Sequence, residues 1–281
     1  MALSGVVLAV VFAAGGDRGL GVGGRIAVLP VEGTITDDRE LLEQLKAFRR
    51  DRSIRGFVVA INSPGGVVAP SQSLYSALRE LRESDARPVI AAIGGVGASG
   101  GYYLALGADS IFALPGSLTG SIGVIMELPD ASGLLQKVGV RMQTVQSAEH
   151  KDIGSPFRPL NEGDRVLLES LVRDVYEQFV AVVAEERRLD PGAVRRVADG
   201  RILSGRQALR AGLVDRLGNI DAAVAAAGRM ASLGNRPRTV YPPEERPTIW
   251  DVIFGRSAMQ SLVRRLAPAA RMGTSVLYQM P

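Results

Sequence analysis

The chain of 281 residues contains no cysteine and a single histidine, His150. The first absence excludes disulfides, thiol catalysis and cysteine-based zinc sites, and it fits any redox compartment. The second excludes a multi-histidine metal centre. Lysine is nearly as scarce: among 33 basic residues only Lys46, Lys137 and Lys151 are lysines, and the rest are arginines. Each lysine therefore merits inspection, because a lysine can lose its proton in a protein whereas arginine effectively cannot. Also missing are fixed-period repeats, low-complexity tracts and any stripe of basic residues interleaved with aromatics, so nucleic acid is not an expected partner.

What is present has a globular balance, with 46 % hydrophobic and 22 % charged residues. The 33 glycines fall largely in short clusters, the mark of tight turns and close backbone approach. A net charge of +4 suits an anionic surface, and a membrane is the better fit.

Three regions are expected. Residues 1–16 hold the apolar run Ala2–Ala14, read as an anchor or signal segment, although it is shorter than a spanning helix of about 20 residues. Residues 24–235 read as one catalytic domain. Residues 236–281 read as a linker with Pro237, Pro242, Pro243 and Pro247, then a basic amphipathic tail suited to a membrane surface.

The central domain alternates β-rich and helical patterns. Arg25–Val31, Gly56–Asn62 and Pro88–Ile93 read as buried strands, and Val138–Gln146 as a further one. Asp37–Arg49, with Asp37 or Asp38 as cap, and Ala69–Arg82 carry leucines at helical spacing; Glu162–Arg188 is a long amphipathic helix. Short helices are expected around Gly192–Ala198 and Gly205–Ala211. Such alternation predicts an α/β fold with parallel strands and crossover helices.

Three glycine-rich turns follow apolar strands: Asn62–Gly66 (NSPGG), Gly97–Gly101 (GASGG) and Thr119–Gly123 (TGSIG). Parallel α/β proteins place their sites at such strand ends. Ser99, between a strand and the start of a helix, has the setting of a nucleophile beside free backbone N–H groups. The pattern G-x-S-x-G around it is weakly specific. Its base is His150 or Lys151, and the spacing does not choose between them.

Longer motifs do carry a resemblance. GGVGASGGYYLA at Gly94–Ala105, NSPGG, TGSIGV at Thr119–Val124, HKDIGSPFR at His150–Arg158 and ADGRILSGRQALRAGLVDRLG at Ala198–Gly218 resemble bacterial signal peptide peptidase A, in matching order over about residues 25–235. The resemblance implies a crotonase/Clp-protease-like superfold and a cofactor-free Ser–Lys dyad. It implies Ser99 as nucleophile and Lys151 as base. Ser121 would orient the lysine, and the N–H groups of Gly66 and Gly100 would form the oxyanion hole. A free lysine side chain has a pKa of about 10.4, so such a base needs burial to shed its proton. Also implied are cleaved signal peptides as substrates, a bacterial inner-membrane location facing away from the cytoplasm, and a homo-oligomer whose dyad partners come from adjacent subunits. His150 would then be structural, Tyr102 and Tyr103 would pack, and Asp152 would pair locally.

Competing readings are an esterase with the triad Ser99–Asp130–His150, an acyl-CoA enzyme of the same fold, and a non-catalytic membrane scaffold.

Overall fold

The computed structural model describes residues 23–243 and the backbone of a short strand at Leu277–Gln279. The apolar N-terminal segment and most of the tail lie outside the described residues.

The chain opens with strand β1 (Arg25–Glu32), helix α1 (Arg39–Arg50) and strand β2 (Ile54–Ser63). The short strand β3 (Gly65–Val67) leads into α2 (Val68–Ser84), β4 (Val89–Ala98) and α3 (Gly100–Ala105). Strands β5 (Ser110–Ala113) and β6 (Leu118–Gly120) precede α4 (Ser132–Lys137) and the long α5 (Glu162–Arg187). The order closes with α6 (Pro191–Arg195), β7 (Ile202–Ser204), α7 (Gly205–Arg210), β8 (Arg216–Leu217), α8 (Ile220–Met230), β9 (Arg238–Val240) and β10 (Leu277–Gln279).

The main sheet runs β7-β6-β4-β2-β1-β9, with β5 and β8 branching from β4. Its pairs are parallel except β6 with β7. Both faces are covered, as the near-continuous apolar strands require. Successive residues of β1 alternate between them: Ala27, Leu29 and Val31 face the layer built with α1, α2, α3 and α5, while Ile26 and Val28 face α8. Alanines on α8 (Ala223, Ala226, Ala227) let that helix lie close to Val58, Ile90 and Phe112.

The fork in β4 positions the site. Ile90–Ile93 pair with β5, whereas Val96–Ala98 pair with Leu118–Gly120 of β6. Ser63 at the end of β2 stands opposite Gly97. All three glycine-rich turns therefore meet at the C-terminal ends of the neighbouring strands β2, β4 and β6.

Three expectations from sequence need correction. Val138–Gln146 is not a strand; it is an exposed irregular segment, and among the described residues no strand pairs with it, so its apolar pattern has no ladder to join. The main sheet also continues past residue 235, since Arg238–Val240 pairs with Arg25–Ala27 of β1. Asp38 stands at the α1 N-cap position, but its side chain makes no capping hydrogen bond.

Helix α5 is two things in one. Its C-terminal half is packed through Val175, Phe179, Val180 and Val183, and is tied to α2 by Arg82–Glu186 at 2.8 Å and by Tyr75 Oη donating to Glu186 at 2.7 Å. Its N-terminal half leaves Val166, Leu167 and Leu171 exposed. The segment before it, residues 126–160, forms an arm that leaves Leu134, Val138, Val140, Met142, Val145 and Phe157 open to solvent. Among the described residues, no helix is long and apolar enough to cross a membrane.

Candidate active site

Ser99 sits at the turn from β4 into α3 with φ 51° and ψ −118°, a backbone conformation that a residue with a Cβ rarely adopts. It is fully buried, and among the described residues its Oγ has no hydrogen-bond partner. Strain and an unpaired buried hydroxyl in one residue mark a functional position, since both cost stability. The neighbouring turn fixes it: Ser99 N–H donates to Gly120 C=O at 2.8 Å, and Tyr103 N–H donates to Ser99 C=O at 2.8 Å. Behind it α3 is anchored by Tyr102, whose hydroxyl donates to Leu213 C=O at 2.8 Å in the core. Tyr103 stacks edge-on against Tyr75 and Phe179. Both tyrosines are therefore packing residues.

The turn before β3 closes over the same point. Gly66 is pressed on Ile35: a Cβ there would collide with the Ile35 carbonyl and lie 2.7 Å from the Ile35 nitrogen. Gly100 faces it, since a Cβ on Gly100 would lie 3.2 Å from Gly66 N and 2.5 Å from Ser71 Oγ. The two backbones thus converge beside Ser99. Gly100 is the first residue of α3, so its N–H has no partner within the helix. An oxyanion next to Ser99 Oγ would meet donors here. The same β3 carries β10 antiparallel, with Tyr278 opposite Gly66. The edge beside the serine accepts an extended peptide strand.

Ser121 repeats the pattern one strand away. It has φ 49°, its N–H donates to Arg201 C=O at 2.9 Å, and its side chain is nearly buried. It borders an open groove of about 1000 Å³ between the chain after β6 and the face of α5, with Val124, Met126, Leu168 and Val172 in its lining.

Lys151 is elsewhere. It lies in a turn of the arm, not in an extended segment, and it is exposed. Its backbone N–H donates to Ala148 C=O at 3.2 Å. Among the described residues its amine enters no ion pair, and Ser99 Oγ is reached by none. Within one chain the structure brings together Ser99, Gly66, Gly100 and Ser121, and leaves Lys151 outside.

The esterase triad is not assembled either. Asp130 accepts the Ser132 N–H at 2.9 Å, while His150 Nδ1 pairs with Asp164 Oδ1 at 3.0 Å. Asp164 was not anticipated from the sequence. It is fully buried, and His150 and Arg158 hold its carboxyl below the usual carboxylate range. Asp152 takes both its Arg158 contacts at 2.8 Å, the local pairing expected of it. The one trace of Asp164 in the sequence is its place three residues after the helix cap Asn161.

Comparison with known proteins now decides the lineage. The profile of peptidase family S49 matches residues 82–234, the stretch that holds Ser99, Ser121 and Lys151. The chain belongs to peptidase family S49. It is a serine-type peptidase, and its α/β body is the Clp/crotonase-like fold of that family. A protein of Synechocystis named as a protease is 38 % identical over 245 residues, covering 86 % of this chain and 87 % of the relative. Another protease-named protein, from Methanocaldococcus jannaschii, is 35 % identical over 218 residues, covering 78 % and 70 %. A protein of Enterococcus faecium named as signal peptide peptidase SppA is 38 % identical over 207 residues, covering 69 % and 60 %. Membership in S49 removes the acyl-CoA reading and counts against a scaffold.

Proposed function

We propose that this S49 peptidase cuts hydrophobic peptides, cleaved signal peptides among them, with a Ser99–Lys151 dyad whose lysine comes from a neighbouring copy of the chain. One observation carries the reading: among the described residues Ser99 Oγ is buried without a partner, while Lys151 is exposed on an arm with apolar flanks. A monomer rarely exposes so many large apolar side chains in one region, and a second copy would cover them. The groove beside Ser121 is an apolar berth for an incoming arm.

In the assembled site, packing would exclude water from the lysine, and burial disfavours its charged form. The neutral amine accepts the Ser99 proton as Oγ attacks the scissile carbonyl carbon. The oxyanion that forms is held by the N–H groups of Gly66 and Gly100. The lysine, now an ammonium, returns the proton to the leaving amine, and a water activated in the same way releases the acyl group. The Ser121 hydroxyl would hold the amine on its path. Substrate would lie as a strand on β3, the edge that β10 occupies here. No cofactor enters this chemistry.

The substrate class comes from the resemblance and from the name of the Enterococcus faecium relative. The basic charge and the apolar run Ala2–Ala14 favour action at a membrane; the resemblance to signal peptide peptidase A adds the bacterial inner membrane, with the catalytic domain on its extracytoplasmic side. Mixing inactive Ser99→Ala and Lys151→Ala proteins tests the shared dyad. Hydrolysis of a fluorogenic apolar peptide should reappear in the mixture alone. A silent mixture of two folded, oligomer-forming parents would return the dyad to a single chain.

A further inference from the structure

We infer that Asp164 is a positioning residue for Lys151: its buried carboxylate holds, from both sides, the turn on which the lysine is presented. This inference rests on the reading of Lys151 as the base.

The arm has little else to hold it. Six of its large apolar residues are exposed and the others, Met126, Leu128, Leu135, Ile153 and Leu160, are only half-buried, so packing within the chain holds its path weakly. Around Lys151 the backbone bonds are those of the turn itself, Lys151 N–H to Ala148 C=O at 3.2 Å and Ile153 N–H to His150 C=O at 3.3 Å. Turn bonds preserve the local shape without fixing where the turn sits. Asp164 supplies that missing constraint. It sits in the first turn of α5, and its side chain is 1 % exposed.

Both chain neighbours of Lys151 lead to it. His150, on one side, meets Asp164 Oδ1 directly at 3.0 Å. Asp152, on the other side, accepts two hydrogen bonds from Arg158, and Arg158 Nη2 also donates to Asp164 Oδ2 at 2.6 Å. Asn161 Nδ2 adds a third donor at 3.0 Å. Charge-assisted bonds of this kind are the stronger class, and a guanidinium fork fixes direction as well as distance.

Asp164 is not needed as the helix cap. Asn161 Oδ1 already accepts the Asp164 N–H at 2.8 Å, which leaves the Asp164 carboxylate free to serve the arm. Both its oxygens are engaged by the arm or by the cap residue, and none of these bonds reaches the sheet. The carboxylate therefore joins the Lys151 turn to α5, whose far half is packed on the body.

Misplacing a reacting group by about 1 Å can cost about 10²-fold in rate. Asp164→Asn keeps the volume but loses the charge that holds Arg158 and His150. It should lower kcat for an apolar peptide nitrophenyl ester by about 10–100-fold while KM stays within about twofold. Placed in the Lys151→Ala background, it should produce no further loss of the residual rate. Arg158→Gln cuts one limb and spares the other; it should give a smaller loss with the same silence in that background. Melting curves accompany each variant, and Arg158→Gln serves where Asp164→Asn does not fold.

In mixtures, Asp164→Asn should lower the complemented rate by the same factor of about 10–100 when carried by the Ser99→Ala chain, which donates the lysine. It should be harmless on the Lys151→Ala chain, which donates the serine. Full activity of Asp164→Asn, or an equal loss with and without Lys151, would overturn the positioning role alone. Full activity of Lys151→Ala would overturn the base assignment and this inference with it.

Discussion

The conformation of Ser99 makes a stability prediction that needs no knowledge of the substrate. At φ 51° and ψ −118° a serine bears a steric cost that glycine does not. Strained backbone of this kind costs about 1–3 kcal/mol. Replacing Ser99 by alanine keeps the Cβ and so keeps the strain; replacing it by glycine removes it. Both variants lose the hydroxyl, so the comparison between them does not depend on what partners Oγ in an assembled form. Against the relief stands the greater freedom of glycine in the unfolded chain, about 0.5–1 kcal/mol relative to alanine. Glycine should therefore come out level with alanine or ahead of it, by up to about 2.5 kcal/mol. For a body of this size about 1 kcal/mol moves Tm by about 2–4 °C, so Ser99→Gly should melt no lower than Ser99→Ala and up to about 10 °C above it. Differential scanning calorimetry at matched protein concentration reads this directly, because oligomers make Tm depend on concentration. Both proteins should be inactive. A glycine variant that melts below the alanine variant would show that Ser99 is not strained, and the reasoning from its backbone would fail.

Other outcomes follow from the same geometry. Gly66→Ala forces a Cβ against the backbone of Ile35, which cannot move aside as a side chain would, so the Gly66 N–H is displaced. The expected loss is about 10²–10³-fold in kcat, the usual effect of losing one oxyanion donor, with a destabilisation of about 1–3 kcal/mol from overpacking. An unchanged kcat in a folded protein would remove Gly66 from the oxyanion hole. Truncation after Pro243 removes the strand that lies on β3, so apparent KM for extended peptides should fall while kcat for a small activated ester is unaltered. No change in KM would show that β3 is not the substrate edge.

Legibility from sequence divided along a physical line. The apolar runs of β1, β2 and β4 and the leucine spacing of α1 and α2 belong to local period, and those elements form within a few residues of where the pattern places them. The serine at the elbow was legible for a related reason: the glycines of Gly97–Gly101 and Thr119–Gly123 permit the tight positive-φ turns that residues with a Cβ resist, and their motifs are long. The failures share the opposite property. Val138–Gln146 has the composition of a strand, but a strand needs a partner edge, and nothing in a local window says whether one exists. Arg238–Val240 looks like the start of a linker because its neighbours are prolines and arginines, yet the free edge of β1 pairs with it. Asp164 was invisible because its importance lies in donors that come to it from 14 and 6 residues upstream.

The sequence by itself determined the chemical options for this protein. Without cysteine and with one histidine, it removed thiol and multi-histidine metal chemistry, and it left Lys151 and His150 as the rival bases for Ser99. It also determined the α/β class, through alternating periods that are properties of short segments. Tertiary structure alone decided how the parts meet. The fork of β4 sets three distant turns side by side, because hydrogen-bond register is a relation between strands. It also decided that Lys151 stands away from Ser99 on an arm held by Asp164, since a base and a nucleophile 52 residues apart can be joined or separated only by the path of the chain between them.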